Sequence, residues 1–128
     1  MDRSLTFSTS GELIRFPSDA VVLIAADGNY SVVTLVDGTE YVITLQLGQI
    51  ERKLMDFVTS GDNRFIRIGK SLIINREYIS YINPARQKLI LSDCRTFKRE
   101  TTASREAVVS RLKVWQSERT NFCRAGLI

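Results

Sequence analysis

Residues 65–82 read FIRIGKSLIINREYISYI. Arg67, Lys70 and Arg76, with Arg64 just upstream, set four cations in an isoleucine-rich segment that has no acid before Glu77. A second group follows at Arg95, Lys98, Arg99 and Arg105, with Glu100 among them. Guanidinium and ammonium groups gathered this way can neutralise phosphates and release counterions, and a guanidinium that reaches a base edge can read sequence. The competing reading of each group alone is a solvated sheet face. Residues 1–60 hold four basic and eight acidic residues, and residues 61–128 hold fourteen basic and six acidic residues. The chain's net +4 is therefore the sum of an acidic first half at −4 and a basic second half at +8. That asymmetry favours an anionic partner, nucleic acid before a membrane surface.

Other chemistry is sparse. The 128 residues contain no histidine, which removes Ser-His-Asp and Cys-His arrangements. No phosphate-binding GxxxxGK[ST] or GxGxxG run is present. Asp19, Asp27, Asp37, Asp62 and Asp93 fall at turns, where their carboxylates are expected to cap local backbone. The sequence therefore points away from an enzyme, and it implies no cofactor. Cys94 and Cys123 form no CxxC pair and are expected to be incidental thiols rather than metal ligands. No apolar run approaches the ~20 residues a membrane span needs, and the start lacks a signal-peptide pattern, so a cytoplasmic protein that is not membrane-embedded is expected.

The elements that must position these cations are mostly strands. The runs 5–9, 12–16, 20–26, 29–36 and 39–44 are β-type, with the continuous apolar run AVVLIAA at 20–26 expected to be buried on both faces. Asp27-Gly28 turns the chain, and Asp37-Gly38 between β-branched runs reads as a two-residue hairpin turn. Leu47, Ile50, Leu54 and Phe57 then recur at helical spacing, giving one short amphipathic helix that Gly48 weakens slightly. Strand pattern returns at 65–68, breaks at Gly69-Lys70-Ser71 so that Lys70 points outward, and resumes at 72–75, 78–82 and 88–92. A last strand is expected at 95–98. From about Ala103 the pattern is helical again. Phe65, Tyr78, Tyr81 and Phe97 lie in apolar strands and are expected in the core, which argues against an aromatic platform for single strands. Tyr30, beside a turn, is expected to be partly exposed. The fold class is mainly β, with closely spaced antiparallel strands, a middle helix and a C-terminal helix. One domain over residues 1–118 and a frayed tail over 119–128 are expected.

DGNYSVVTLVDGTEYVITLQLGQIERKL, FIRIGKSLIINREYISYI, KLILSD and ASREAVVSRL, in this order and spacing, resemble the LytTR DNA-binding domain, the output module of many bacterial response regulators. The resemblance covers roughly residues 12–115. Phe65-Ile66-Arg67-Ile68-Gly69-Lys70-Ser71 with Asn75 is similar to the family's F-x-R-[IV]-H-[RK]-S-…-N signature, with Gly69 in place of the usual histidine. The resemblance implies an elongated β arrangement that inserts loops into successive major grooves. By position, the base-reading residues would be Tyr30 or its neighbour Asn29 in the first loop and Lys70 in the second. In the third loop it would be Arg105 or, because the stretch after Asp93 is longer than usual, Arg99. Arg67, Ser71, Arg76 and Ser104 would contact the DNA backbone or support the loops. The implied function is a stand-alone regulator without a receiver domain. It would bind promoter repeats in double-stranded DNA as a pair of protomers and answer to an inhibitory or activating partner protein. Two other readings stay open: a β-rich protein-interaction module with a basic face, and an RNA-binding domain.

Overall fold

A computed structural model describes residues 4–8, 11–55, 61 and 64–102. The described strands are β1 (Ser4–Ser8), β2 (Leu13–Pro17), β3 (Val21–Asp27), β4 (Tyr30–Leu35), β5 (Glu40–Ile43), β6 (Phe65–Ile68), β7 (Leu72–Asn75), β8 (Ile79–Asn83), β9 (Lys88–Ser92) and β10 (Lys98–Thr102). The helix α1 spans Leu47–Lys53. All strand pairs are antiparallel, so the mainly β, antiparallel expectation holds. The C-terminal helix expected from Ala103, Phe57 of the middle helix and the tail lie outside the described residues.

The strands form three sheets. A central sheet has the order β5-β4-β3-β7-β6, flanked by the hairpin β1-β2 and by the three-stranded sheet β10-β9-β8. The period-2 rule explains the layering, because alternate residues of a strand face opposite sides. On β3, Val21 and Ile24 join a core with Leu5, Phe7 and Phe16 of the first hairpin and Leu47, Ile50 and Leu54 of the helical segment. Val22 and Leu23 turn to the other face, against Ile79, Leu89 and Leu91 of the three-stranded sheet. The register shift between Val21 and Leu23 accommodates two successive residues on that second face. The run AVVLIAA is apolar throughout because its strand is sandwiched between two cores.

Three expectations need correction. The turn at Asp37-Gly38 is a three-residue loop. Gly38 N–H donates to Leu35 O at 2.9 Å, and Leu35 N–H donates to Thr39 O at 2.8 Å, closing Val36-Asp37-Gly38 with Gly38 at φ +92°. A type I turn followed by one left-handed residue has this form, and glycine fills that position without strain. The last described strand begins at Lys98 rather than Arg95. Asp93 Oδ1 accepts from the backbone N–H groups of Arg95 (2.9 Å), Thr96 (3.0 Å) and Phe97 (2.9 Å), which takes those donors away from any ladder. These amides, Arg95 first, hold the Asp93 carboxyl below the usual carboxylate range. Finally, Cys94, next in the same loop at φ +62°, is disulfide-bonded and not an incidental thiol.

Candidate nucleic-acid interface

The sheet order brings two turns side by side. β3 and β4 are joined by Gly28-Asn29, and β6 and β7 by Gly69-Lys70-Ser71. β3 is itself paired with β7, from Leu23↔Ile74 to Ala25↔Leu72. Both turns therefore leave the same end of the central sheet, and Ala26 N–H donates to Ser71 O at 2.9 Å, stitching them together. Neighbouring strands lie ~4.8 Å apart, so hairpins centred two strands apart present their tips ~10 Å apart. Gly28 and Gly69 sit at φ +65° and +66°, where a side chain would strain the backbone.

The side chains at this end are polar and open. Asn29, Gly69, Lys70 and Ser71 are exposed. Tyr30 is 49% exposed, as its place beside a turn suggested. Among the described residues the Lys70 ammonium has no carboxylate partner, so it is available to an anion.

Beneath the tips lies a layer of support. The Arg67 guanidinium donates from Nε to Gly69 O at 3.2 Å, from one terminal nitrogen to Lys70 O at 3.2 Å, and from the other to Glu51 Oε1 of α1 at 2.6 Å. Gln46, which precedes α1, donates from Nε2 to Asn29 Oδ1 at 3.2 Å. Its own N–H donates to Gln49 Oε1 at 2.8 Å. Ser31 Oγ donates to Leu45 O at 2.7 Å, which fixes the same segment to β4. Neither Gln46 nor Glu51 stood out in the sequence. Gln46 and Gln49 form a capping box at the start of α1, but glutamine is not a favoured cap residue, so the sequence alone does not mark Gln46. The Glu51–Arg67 pairing has no sequence signal, because 16 residues separate its members.

The remaining cations lie elsewhere. Arg76 follows the far end of β7, where its N–H donates to Arg64 O at 2.7 Å. Arg64 itself donates to Ser18 Oγ at 3.1 Å and pairs with Asp19. The four cations of the first group are thus divided between the two ends of the sheet. Arg99, on β10, pairs with Glu40 Oε2 of β5 at 3.2 Å. Ser104 and Arg105 lie outside the described residues. Of the aromatics expected in the core, Phe65, Tyr78 and Phe97 are half-buried and pack on it. Tyr81 is 40% exposed on the outer face of the three-stranded sheet, against expectation, because its side points away from Leu89 and Leu91.

The sequence matches the family model of the LytTr DNA-binding domain over residues 11–116. Among solved structures, the chain is similar to the LytTr DNA-binding domain of a Bacillus cereus protein described as a methyl-accepting/DNA response regulator. The TM-score is 0.58 at 20% identity, covering 88% of this chain and 95% of that one. No curated protein sequence matches the chain. With a family match across most of its length and the same fold, the chain belongs to the LytTr DNA-binding domain family.

Proposed function

We propose that this chain is a transcriptional regulator that binds duplex DNA sequence-specifically and reads the major groove through turns between strands. The observation that carries the reading is the pairing of the Gly28-Asn29 and Gly69-Lys70-Ser71 turns at one end of the central sheet, with an open cation at its tip. Two tips ~10 Å apart suit one major groove, which is about 12 Å wide. Lys70 offers three donors, which suit guanine O6 and N7. Asn29 and Tyr30 offer the amide and phenol that would read or pack against a neighbouring base pair. Arg105, or Arg99 if freed from Glu40, would serve the next groove. Ser104 and Ser71 would meet phosphates, with Arg67 a loop support; Arg76, at the far end of the sheet from the two turns, falls outside this contact.

In this reading the protein performs no catalysis, works in the bacterial cytoplasm and occupies repeated half-sites as a pair of protomers. An inhibitory or activating partner protein would set its activity. Among the described residues, no helix is long and apolar enough to cross a membrane.

Selection of bound sequences from a random duplex pool tests the proposal. It is followed by anisotropy titration of the selected and scrambled duplexes at two salt concentrations. A repeated motif preferred by roughly 10³-fold or more is expected. A featureless pool with purely salt-governed binding would discard sequence reading and favour a basic protein-interaction face. Tighter binding to single-stranded RNA than to duplex DNA would point to the RNA-binding alternative.

A further inference from the structure

Helix α1 touches both turns without standing at their tips. Gln46 at its start holds Asn29 of the first turn, and Glu51, five residues on, holds Arg67 under the second. Five residues of helix rise about 7.5 Å, comparable to the ~10 Å between neighbouring hairpin centres. One short helix can therefore brace both turns. Its own seat is firm, because Leu47 and Ile50 are buried in the core shared with β3 and β7.

Arg67 is the hinge of this arrangement. A guanidinium is planar and presents its donors in a fixed fork. Two of its three nitrogens here hold successive carbonyls of the Lys70 turn, and the third is held by Glu51. Remove Glu51, and the fork keeps only the two neutral carbonyl acceptors of the turn. It would then be free to swing toward a phosphate. From this geometry we infer that Glu51 is a positioning residue for DNA reading: it holds Arg67 under the turn so that Lys70 meets one base pair rather than any nearby phosphate. The inference rests on the DNA-reading function proposed above.

The sign of the effect separates positioning from simple charge. A carboxylate close to a DNA-facing surface repels phosphates, so Coulomb's law alone gives tighter binding to every duplex when Glu51 is neutralised. Positioning gives opposite signs: scrambled DNA binds equally or more tightly, and the selected site binds more weakly. Glu51→Gln and Glu51→Ala remove the same charge, but only the glutamine keeps an oxygen that can accept from Arg67.

The experiment titrates the full chain and both variants against the duplex selected by the wild type and its scrambled control. The selected-to-scrambled affinity ratio is expected to fall on the order of tenfold in Glu51→Ala, part of what one well-placed base contact supplies. Glu51→Gln is expected between Glu51→Ala and the wild type. Amide hydrogen exchange of the free proteins is read in parallel, with faster exchange at residues 69–71 expected in Glu51→Ala and an unchanged rate at Ile24 and Ile73 showing an intact fold. An equal gain in affinity for both duplexes, or identical behaviour of the two variants, would overturn the inference. So would exchange at residues 69–71 indistinguishable from wild type. A wild type that prefers no duplex would instead sink the DNA-reading function, and the exchange comparison would still decide whether Glu51 clamps the turn.

Discussion

The two ends of the central sheet handle polar groups in opposite ways. At the end where β7 runs into Arg76, polar groups are spent on the protein itself. Asn75 is 1% exposed; its Nδ2 donates to Val21 O at 2.9 Å and its Oδ1 accepts from Glu77 N–H at 3.0 Å. Tyr78 donates to Asp19 O, and burial, then the nearby Asp19 carboxylate, pushes its phenol above the usual range. Arg64 closes the knot onto Ser18 and Asp19. At the other end the supports are tied inward, while Lys70 and Tyr30 face solvent. A buried polar group must be paired or it destabilises the fold. An exposed group that binds a ligand must be left unpaired. The same residue types are therefore scaffold at one end and, in the proposed function, contact surface at the other.

This contrast can be broken by substitution. The largest effect is expected in the shared middle, where Ile73→Ala should cost about 2–5 kcal/mol in denaturant unfolding. At the closed end, Asn75→Ala leaves the buried Val21 carbonyl and the part-buried Glu77 N–H without their side-chain partner and should cost about 1–3 kcal/mol of stability. The variant that remains folded should discriminate selected from scrambled DNA as the wild type does. A changed ratio would mean that the closed end also reads DNA. At the open end the expectation reverses. Lys70→Ala should lower affinity for the selected site by about 1–3 kcal/mol and relax preference at one position, with the unfolding midpoint nearly unchanged. Binding to selected and scrambled DNA in the wild-type ratio would remove Lys70 from the reading residues. Gly28→Ala should be milder, costing stability of about 1 kcal/mol, because alanine must take a left-handed conformation; calorimetry would show it.

The smallest effect concerns Asp93, whose folded-state carboxyl is held below the usual carboxylate range by the amides it accepts from, Arg95 first. A depressed folded pKa stabilises the fold above the unfolded value, and that contribution disappears as pH falls through the folded one. The wild type should therefore lose thermal stability below about pH 4 more steeply than Asp93→Asn, whose amide oxygen accepts the same N–H groups without titrating. Parallel slopes in an acid series of melting curves would show that the loop makes no such contribution.

Much of the scaffold was legible because period and turn chemistry are local. The apolar run at 20–26, the helix start at Leu47 and the break at Gly69 follow from spacing and residue type alone. The errors came where a side chain, a turn or a bulge redirected the backbone. Asp93 gathers three amides and delays the last described strand to Lys98, and Gly38 completes a three-residue loop where Asp-Gly suggested two. Tyr81 was misplaced because β8 shifts register between Ile79 and Tyr81, turning its ring outward.

The candidate site divides in the same way. By itself, the sequence determined that cations cluster in the second half, that β-strands carry them and that turns at Asn29 and Lys70 present polar tips. Composition and short-range periodicity are enough for that. Tertiary structure decided which cations share a surface. Antiparallel pairing of β3 with β7 sets the two turns together and carries Arg64 and Arg76 to the far end. Packing of α1 on the central sheet brings Glu51 to Arg67. Those relations join residues remote in the chain, and only strand order and layer packing fix such distances.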